Sequence, residues 1–536
     1  GGAMVALAVT FTAVAVLVGG LGMEGSAAAG DIRKGAWTEI QKALDEGKPK
    51  SALAILGGIE EAATQEKAWA EVARAIATRV LAESGEDAGD EPLMVIRLAA
   101  AIDKAPPETR AVLEAIRANW TWGYFQQNQW RYRERTQGGA DAKDLSKLGQ
   151  WDLPTIVAEI RNRFALAVGA PGSPERKALQ AIPVAQWDAI LSKGTMGDVY
   201  RPTLWDVIAR DALAFAASGE RGLMKPEDAF EFDPASRALG TPEEFLNWKP
   251  EDDKAVTDKD SPLLEAAALY RALIEFHAKD ADPSARLSAD LDRILWAADA
   301  AVGEGVTKRK DAALTAFMER AGDHEMAAEA AYHLAELIRE EGDLVKARSI
   351  AAKAAAKWPK SHGGVQCGNL VRDIESKELS LATERSWAAP FPAVRVTSKN
   401  LEKVHLRVCK ADWEARLRAG KPHAHWFDEE DRKAILALPA VREHAADLPA
   451  TPDYQERSED LPVETALGAA TLEPGAYWVI ASHRADFGEN DNSVDVALVW
   501  VTRLAIVTEQ QQATFESDIV GGAARVRDGR RRPRPQ

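Results

Sequence analysis

AEAAYHLAELIREEGDLVKARSIAAKAAAKWP, residues 328–359, is the stretch on which the fold turns. Apolar and small residues recur at helical spacing on both sides of the Glu341-Gly342-Asp343 break, so the stretch predicts two helices joined by a tight turn. With Ala335 as the small residue of the first helix, Ala347 and Ala354 fall at close-contact positions of the second, and Pro359 ends the unit. Small side chains at those places let two helices approach closely.

This spacing is that of a tetratricopeptide-like helix pair. A shorter relative, TEIQKALDEGKPKSALAILGGIEEAA (residues 38–63), opens the same region as a helix, a Gly-Lys-Pro turn and a second helix. Between them no regular period survives. The expectation is therefore an all-α, TPR-like array of irregular helix pairs over residues 31–385, with prolines such as Pro107, Pro154, Pro174, Pro242 and Pro262 at helix starts. KPEDDKAVTDKDSP, residues 249–262, has charge but no apolar period and reads as a surface loop.

The pattern changes near Trp387. PFPAVRVTSKNLEKVHLRVCKAD (390–412), TLEPGAYWVIASHR (471–484) and NSVDVALVWVTRLAIVT (492–508) alternate apolar and polar residues around turn signals at Ser398-Lys399-Asn400, Pro474-Gly475 and Asp491-Asn492-Ser493. Residues 386–510 are thus expected to form a β-sandwich with a polar, partly helical insert over 413–461. Residues 511–536 end in ARVRDGRRRPRPQ, which lacks an apolar face and reads as a disordered or frame-shifted tail.

Length and composition bound the function. A chain of 536 residues is too long for one core. With 83 acidic against 67 basic side chains, its net charge of −16 opposes nucleic acid as a partner. The uncharged apolar run over residues 5–21, followed by Ala27-Ala28-Ala29, reads as an export signal or an uncleaved signal anchor in the first 30 residues, placing the chain in the periplasm or cell envelope. Cys367 and Cys409 fit one disulfide or two free buried thiols equally well.

WTWGYFQQNQWRYRERTQ, residues 120–137, gathers Trp120, Trp122 and Trp130 with Arg131 and two further arginines. Such a set either stacks single-stranded nucleic acid or packs helix on helix with arginines wet, and the acidic balance favours packing. His423 and His425 precede Asp428-Glu429-Glu430-Asp431, where a solvated loop with Asp428 as a helix cap is preferred over a metal site. DFGENDNSVD (486–495) fails the EF-hand pattern and reads as a polar hairpin turn. No nucleophile elbow, phosphate loop or zinc-protease helix occurs, so neither an enzyme nor a cofactor is expected.

Three islands carry a resemblance: WRYRERT (130–136) followed by Trp151-Asp152-Leu153, then RPTLWD with Arg201, Pro202 and Asp206, then LEPGAYWVIAS (472–482) with Gly475 and Tyr477. In this order, on a helical array preceding a β domain, they resemble the N-terminal part of bacterial alpha-2-macroglobulin family proteins. The resemblance implies an exported, non-catalytic scaffold of a broad-spectrum endopeptidase inhibitor, with residues 386–510 as its first macroglobulin-like domain and proteases as partners of the full-length protein. Some members carry a Cys-Gly-Glu-Gln thioester. Here Cys367-Gly368 is followed by Asn369-Leu370, so Cys367 is rejected as one, and no bait region is identifiable. The alternative is a self-contained TPR-like adaptor at the membrane or in the periplasm that holds other proteins on its helical array.

Overall fold

The computed structural model of the chain describes residues 33–85, 93–133, 144–219, 226–421, 427–502, 504–508 and 524–528. It divides into two compact units, 1–333 with 361–363, and 334–360 with 364–536.

The first unit is helical: α1 (Lys34–Asp45), α2 (Pro49–Gln65), α3 (Trp69–Ser84), α4 (Leu93–Lys104), α5 (Pro107–Gln127), the short α6 (Gln129–Arg133), α7 (Leu153–Val168), α8 (Pro174–Gln180), α9 (Leu204–Ala216), the short α10 (Pro242–Leu246), α11 (Pro262–Phe276), α12 (Ser284–Ala300), α13 (Val306–Ala321) and the first half of α14 (Met326–Glu340). The sequence explains the boundaries. Proline stands in the first turn of α2, α5, α7, α8, α10 and α11, where its missing N–H costs nothing. Asp152 caps α7 by accepting from the Thr155 amide at 3.0 Å, and Thr203 with Asp206 forms a reciprocal capping box on α9. Gly47 turns the chain from α1 into α2 at φ +67°, a left-handed conformation that favours glycine. Trp37, Ile40 and Ala43 of α1 meet Ala52, Leu56 and Ile59 of α2 in a small core of their own. From α3 to α12 one continuous core runs through the unit, with Trp151, Trp205 and Phe245 wholly buried.

Gly363 belongs to this unit and lies against α14. A Cβ there would fall inside the van der Waals sphere of the Glu329 backbone nitrogen. Gly363→Ala is therefore expected to destabilise the first unit by about 1–3 kcal/mol, read from hydrogen exchange in α14. Unchanged exchange there would show that the two backbones separate at no cost.

The second unit holds α15 (Leu344–Lys357), most of α16 (His362–Glu375) and the β elements. These are β1 (Glu378–Thr383), β2 (Ser386–Trp387), β3 (Ala393–Lys399), β4 (Lys403–Lys410), β5 (Ala440–Asp447), β6 (Arg457–Pro462), β7 (Gly475–Ser482) and β8 (Val494–Val501). One sheet has the order β1-β3-β6 and the other β2-β8-β7-β4-β5; all pairs are antiparallel except β2 with β8. Val394 and Val396 from the first sheet and Val404, Leu406, Val479 and Val499 from the second share one core. The outer face of the larger sheet is covered too: Trp478, Ile480 and Leu498 pack with Ile435 of α18 (Glu429–Leu436) and Trp413 of α17 (Trp413–Arg418). Burial on both sides explains why β7 reads GAYWVIAS, a nearly unbroken apolar run. Two further strands, β9 (Leu504–Thr508) and β10 (Ala524–Asp528), pair antiparallel.

The helical region followed by a β region is as expected, and the differences are local. β1 begins eight residues before the expected boundary at 386. The residues expected as a partly helical insert contain α17 and α18 but also β5 and β6. Both are edge strands, alanine-rich or charged and largely exposed, so the apolar alternation that marks a strand is missing from them. β3 and β4 flank the expected turn at Asn400 but join different sheets. Helix α15 groups with the β elements, held by Arg348 over Tyr454 at 5.8 Å and by Gln455 Nε2 donating to Gly342 O at 2.8 Å. Strand β10 lies in the stretch expected to be disordered, and the rest of 511–536 lies outside the described residues, as do the apolar run at 5–21, Arg135, His423 and His425. No helix among the described residues is long and apolar enough to cross a membrane. Cys367 and Cys409 are both buried and are not joined in a disulfide.

Candidate interaction site

The rings of the 120–137 stretch mostly do what packing requires. Trp120 and Phe125 are buried, Trp122 meets Phe215 edge-on at 5.4 Å, and Tyr132 donates its hydroxyl to Leu148 O at 3.1 Å. Trp130 differs. It stands 61% exposed, with Arg131 over its ring at 5.1 Å, because it sits on the outer side of the short α6. Trp151 is wholly buried, and so are Ala335, Ala347 and, nearly so, Ala354, while Pro359 is exposed in the turn before α16. Gly475 opens β7 at φ +157°, and the buried Tyr477 donates its hydroxyl to Glu473 O at 2.8 Å.

RPTLWD lies in a buried polar network. The Asp206 carboxylate accepts from the Thr203 amide at 2.9 Å and from its hydroxyl at 2.8 Å through one oxygen, and meets His277 Nε2 at 2.7 Å through the other. The second nitrogen, Nδ1, meets Asp280 at 2.6 Å. Burial opposes a charge on His277, but the two carboxylates outweigh it and hold the imidazole above its ordinary range. Next to it, burial and the neighbouring Arg210 push the Arg201 guanidinium down to about 10, against the pull of Asp292, Asp211 and Asp206. Arg210 in turn pairs with Asp292 and donates to Ser288 Oγ at 3.1 Å. With both ring nitrogens of His277 engaged by carboxylates, this arrangement cross-links α9 to the end of α11 and leaves no nitrogen for a substrate.

A serine–histidine pair nearby has the wrong polarity for a nucleophile. Ser284 Oγ is 3.0 Å from His324 Nε2, but His324 Nδ1 accepts from the Met326 amide at 3.1 Å. In the neutral ring the proton then sits on Nε2, which donates to the serine instead of taking its proton.

Two clefts open on the surface. That of the second unit, about 480 Å³, is lined by polar residues including Glu375, Lys377, His483 and Asp491. Nearby in sequence, Arg484 donates to both oxygens of Asp486 at 3.0 and 2.6 Å and holds this carboxyl down to about 2. Among the described residues no group of three or more ligand side chains is placed to hold a metal.

The cleft of the first unit is different in chemistry. It lies on the connection between α9 and α11, has a volume of about 350 Å³, and is floored by Phe230, Phe232, Trp248, Pro250 and Val256. The three rings form a cluster, with Phe232 and Trp248 centroids 5.6 Å apart and nearly perpendicular, and Phe230 within 6.4 Å of both. Phe230 and Trp248 are only half-buried.

Buried arginines hold this non-helical connection still. Arg293 of α12, 0% exposed, donates to Ala238 O at 2.5 Å, to Gly240 O at 3.1 Å and to Asp290 at 2.9 and 2.5 Å, and lies 4.9 Å from the Phe245 ring. Arg271 of α11 donates to Trp248 O at 2.9 Å and pairs with Glu251. Asp258 accepts from the Phe230 amide at 3.1 Å. No protein-family model, curated protein or solved structure matches this chain. With its clamped aromatic floor and charged rim, the cleft is suited to receive part of another molecule. The sequence contained its rings, in PEDAFEFD and LNWKP, but neither stretch has a period that brings them together.

Proposed function

We propose that the chain is a non-catalytic binding scaffold, the N-terminal portion of an exported, alpha-2-macroglobulin-like endopeptidase inhibitor of bacterial type. The observation that carries this reading is the strand order. The orders β1-β3-β6 and β2-β8-β7-β4-β5, with the buried Tyr477 bonding back to Glu473 O in the manner of a tyrosine corner, support an immunoglobulin-like sandwich with A-B-E and G-F-C-C′ strands, the fold that the resemblance implies. A helical unit precedes it in the chain, as the resemblance implies. Buried alanines at 335, 347 and 354, with Gly342 turning at φ +91°, support a TPR-like pair.

Removing the corner tests the β half. Tyr477→Phe leaves the Glu473 carbonyl without its buried donor and is expected to cost about 1 kcal/mol of stability, read from hydrogen exchange in β7 and its neighbours. A larger effect is not expected, because the ring stays in place.

The function itself is tested on envelope fractions of the source cells with an antibody to the β unit. The expected result is a polypeptide well above the 58.1 kDa of this chain, which on brief exposure to trypsin is cut at one region and retains the protease in a high-mass complex. A species of 58 kDa that holds no protease overturns the trap reading. The aromatic cleft favours the alternative in that case: a self-contained adaptor that holds a partner protein, seen as a stable complex of defined stoichiometry on native gels.

A further inference from the structure

The cleft between α9 and α11 combines three features that constrain its ligand. Its floor is aromatic, with Trp248 and Phe230 half-buried and so offering part of their surface. Its rim carries Glu231, Asp233 and Asp253 against Arg237 and Lys249. Its lining thus carries three carboxylates against two cations, a net negative charge. Aromatic faces attract a cation through their quadrupole, and a carboxylate rim lowers the energy of the same cation further. An anionic ligand is disfavoured by the net charge of this lining.

The clamps decide whether this surface is available without rearrangement. Trp248 is fixed through its own carbonyl by Arg271, Phe230 through its amide by Asp258, and the neighbouring turn by Arg293. Val302 donates its amide to Phe232 O at 3.1 Å and pins the third ring. A binding surface held in this way loses little conformational entropy on association.

We infer that this cleft is a docking site for a cationic segment of a partner protein, one that lays an arginine or lysine over the Trp248 and Phe230 rings with its charge toward Glu231, Asp233 and Asp253. The site rests on the scaffold reading only in that it needs a protein partner; it does not need the inhibitor assignment. Arginine suits it better than lysine, since the planar guanidinium stacks on a ring while still donating to the rim carboxylates. The occupant is an extended segment, because a cleft of about 350 Å³ is too small for a helix.

The test uses the full chain and fluorescein-labelled ten-residue peptides of alternating arginine and leucine, with the glutamate–leucine counterpart, followed by fluorescence anisotropy. The arginine peptide is expected to bind and the glutamate peptide not. Glu231→Gln, Asp233→Asn and Asp253→Asn together keep the size and the turn acceptors of these side chains and are expected to weaken binding about ten-fold at low salt. Trp248→Ala is expected to weaken it by a similar factor at high salt, where the ring contact dominates. Three neutralisations placed at Glu39, Glu61 and Glu108 serve as the control and should leave affinity within two-fold. Because the rim variants do not touch the core, circular dichroism spectra should match the parent. Equal binding of the two peptides, equal loss in the control, or no binding of the arginine peptide each overturns the inference. The trap reading stands or falls separately, on the immunoblot.

Discussion

Replacing Arg293 with alanine is expected to destabilise the first unit by about 3–5 kcal/mol. The guanidinium is wholly buried and makes four hydrogen bonds, two to Asp290 and one each to Ala238 O and Gly240 O. Truncation leaves the two carbonyls without donors and opens a cavity against the Phe245 ring. Asp290 keeps a partner in Arg320 at 2.9 Å, which places the effect below that of a fully orphaned buried charge. Arg293→Lys retains the charge but not the fork, so it cannot serve both carbonyls and the carboxylate together; about half the loss is expected. Two compact units do not unfold as one two-state transition, so the measurement is hydrogen exchange. Faster exchange is expected in α12 and at 237–240, with the β unit unchanged. A loss under 1 kcal/mol would mean that the loop is held by its rings alone, and would remove the rigidity on which the cleft depends.

How far the sequence reveals this arrangement depends on how far apart the interacting residues lie. Asp152, Thr203 with Asp206, and Asp428 all act within one helical turn, and their side chains cap α7, α9 and α18 as their types suggest. The apolar faces of α1 and α2 are equally plain, since the period is local. The edge strands β5 and β6 escape detection because nothing buries either face completely. The cleft escapes it for a different reason. Residues 249–262 have the composition of a solvated loop, and the cleft around them is fixed by Arg271, which reaches back to Trp248 O and Glu251, and by Arg293, which reaches back to Ala238 O. His277 likewise shows nothing in its neighbourhood, as its decisive partner, Asp206, is 71 positions away. Trp130 was grouped with its neighbours by composition, whereas the turn between α5 and α6 carries it to the surface.

Asp206→Ala is expected to cost about 4 kcal/mol and to change how stability depends on pH. Of this, about 1 kcal/mol is the lost cap, because the carboxylate accepts from both the amide and the hydroxyl of Thr203. The larger share comes from His277, 2% exposed, which keeps only Asp280 as a counter-charge. In the parent protein the folded state holds the His277 proton more tightly than the unfolded chain does, burial being outweighed by the two carboxylates. That proton contributes stability in full below the ordinary histidine range of about 6.5, and the contribution is lost as the pH rises through the higher folded-state value. Unfolding free energy of the first unit should therefore fall above pH 6.5 in the parent, and this slope should flatten in the variant. Asp206→Asn separates the two parts, since an amide oxygen still accepts at Thr203 but brings no charge to the imidazole. Its expected profile has the flattened slope with most of the cap retained. If Asp206→Asn kept the parental slope, Asp280 alone would be holding the proton, and Asp206 would serve as a cap and hydrogen-bond partner without setting the charge of the imidazole.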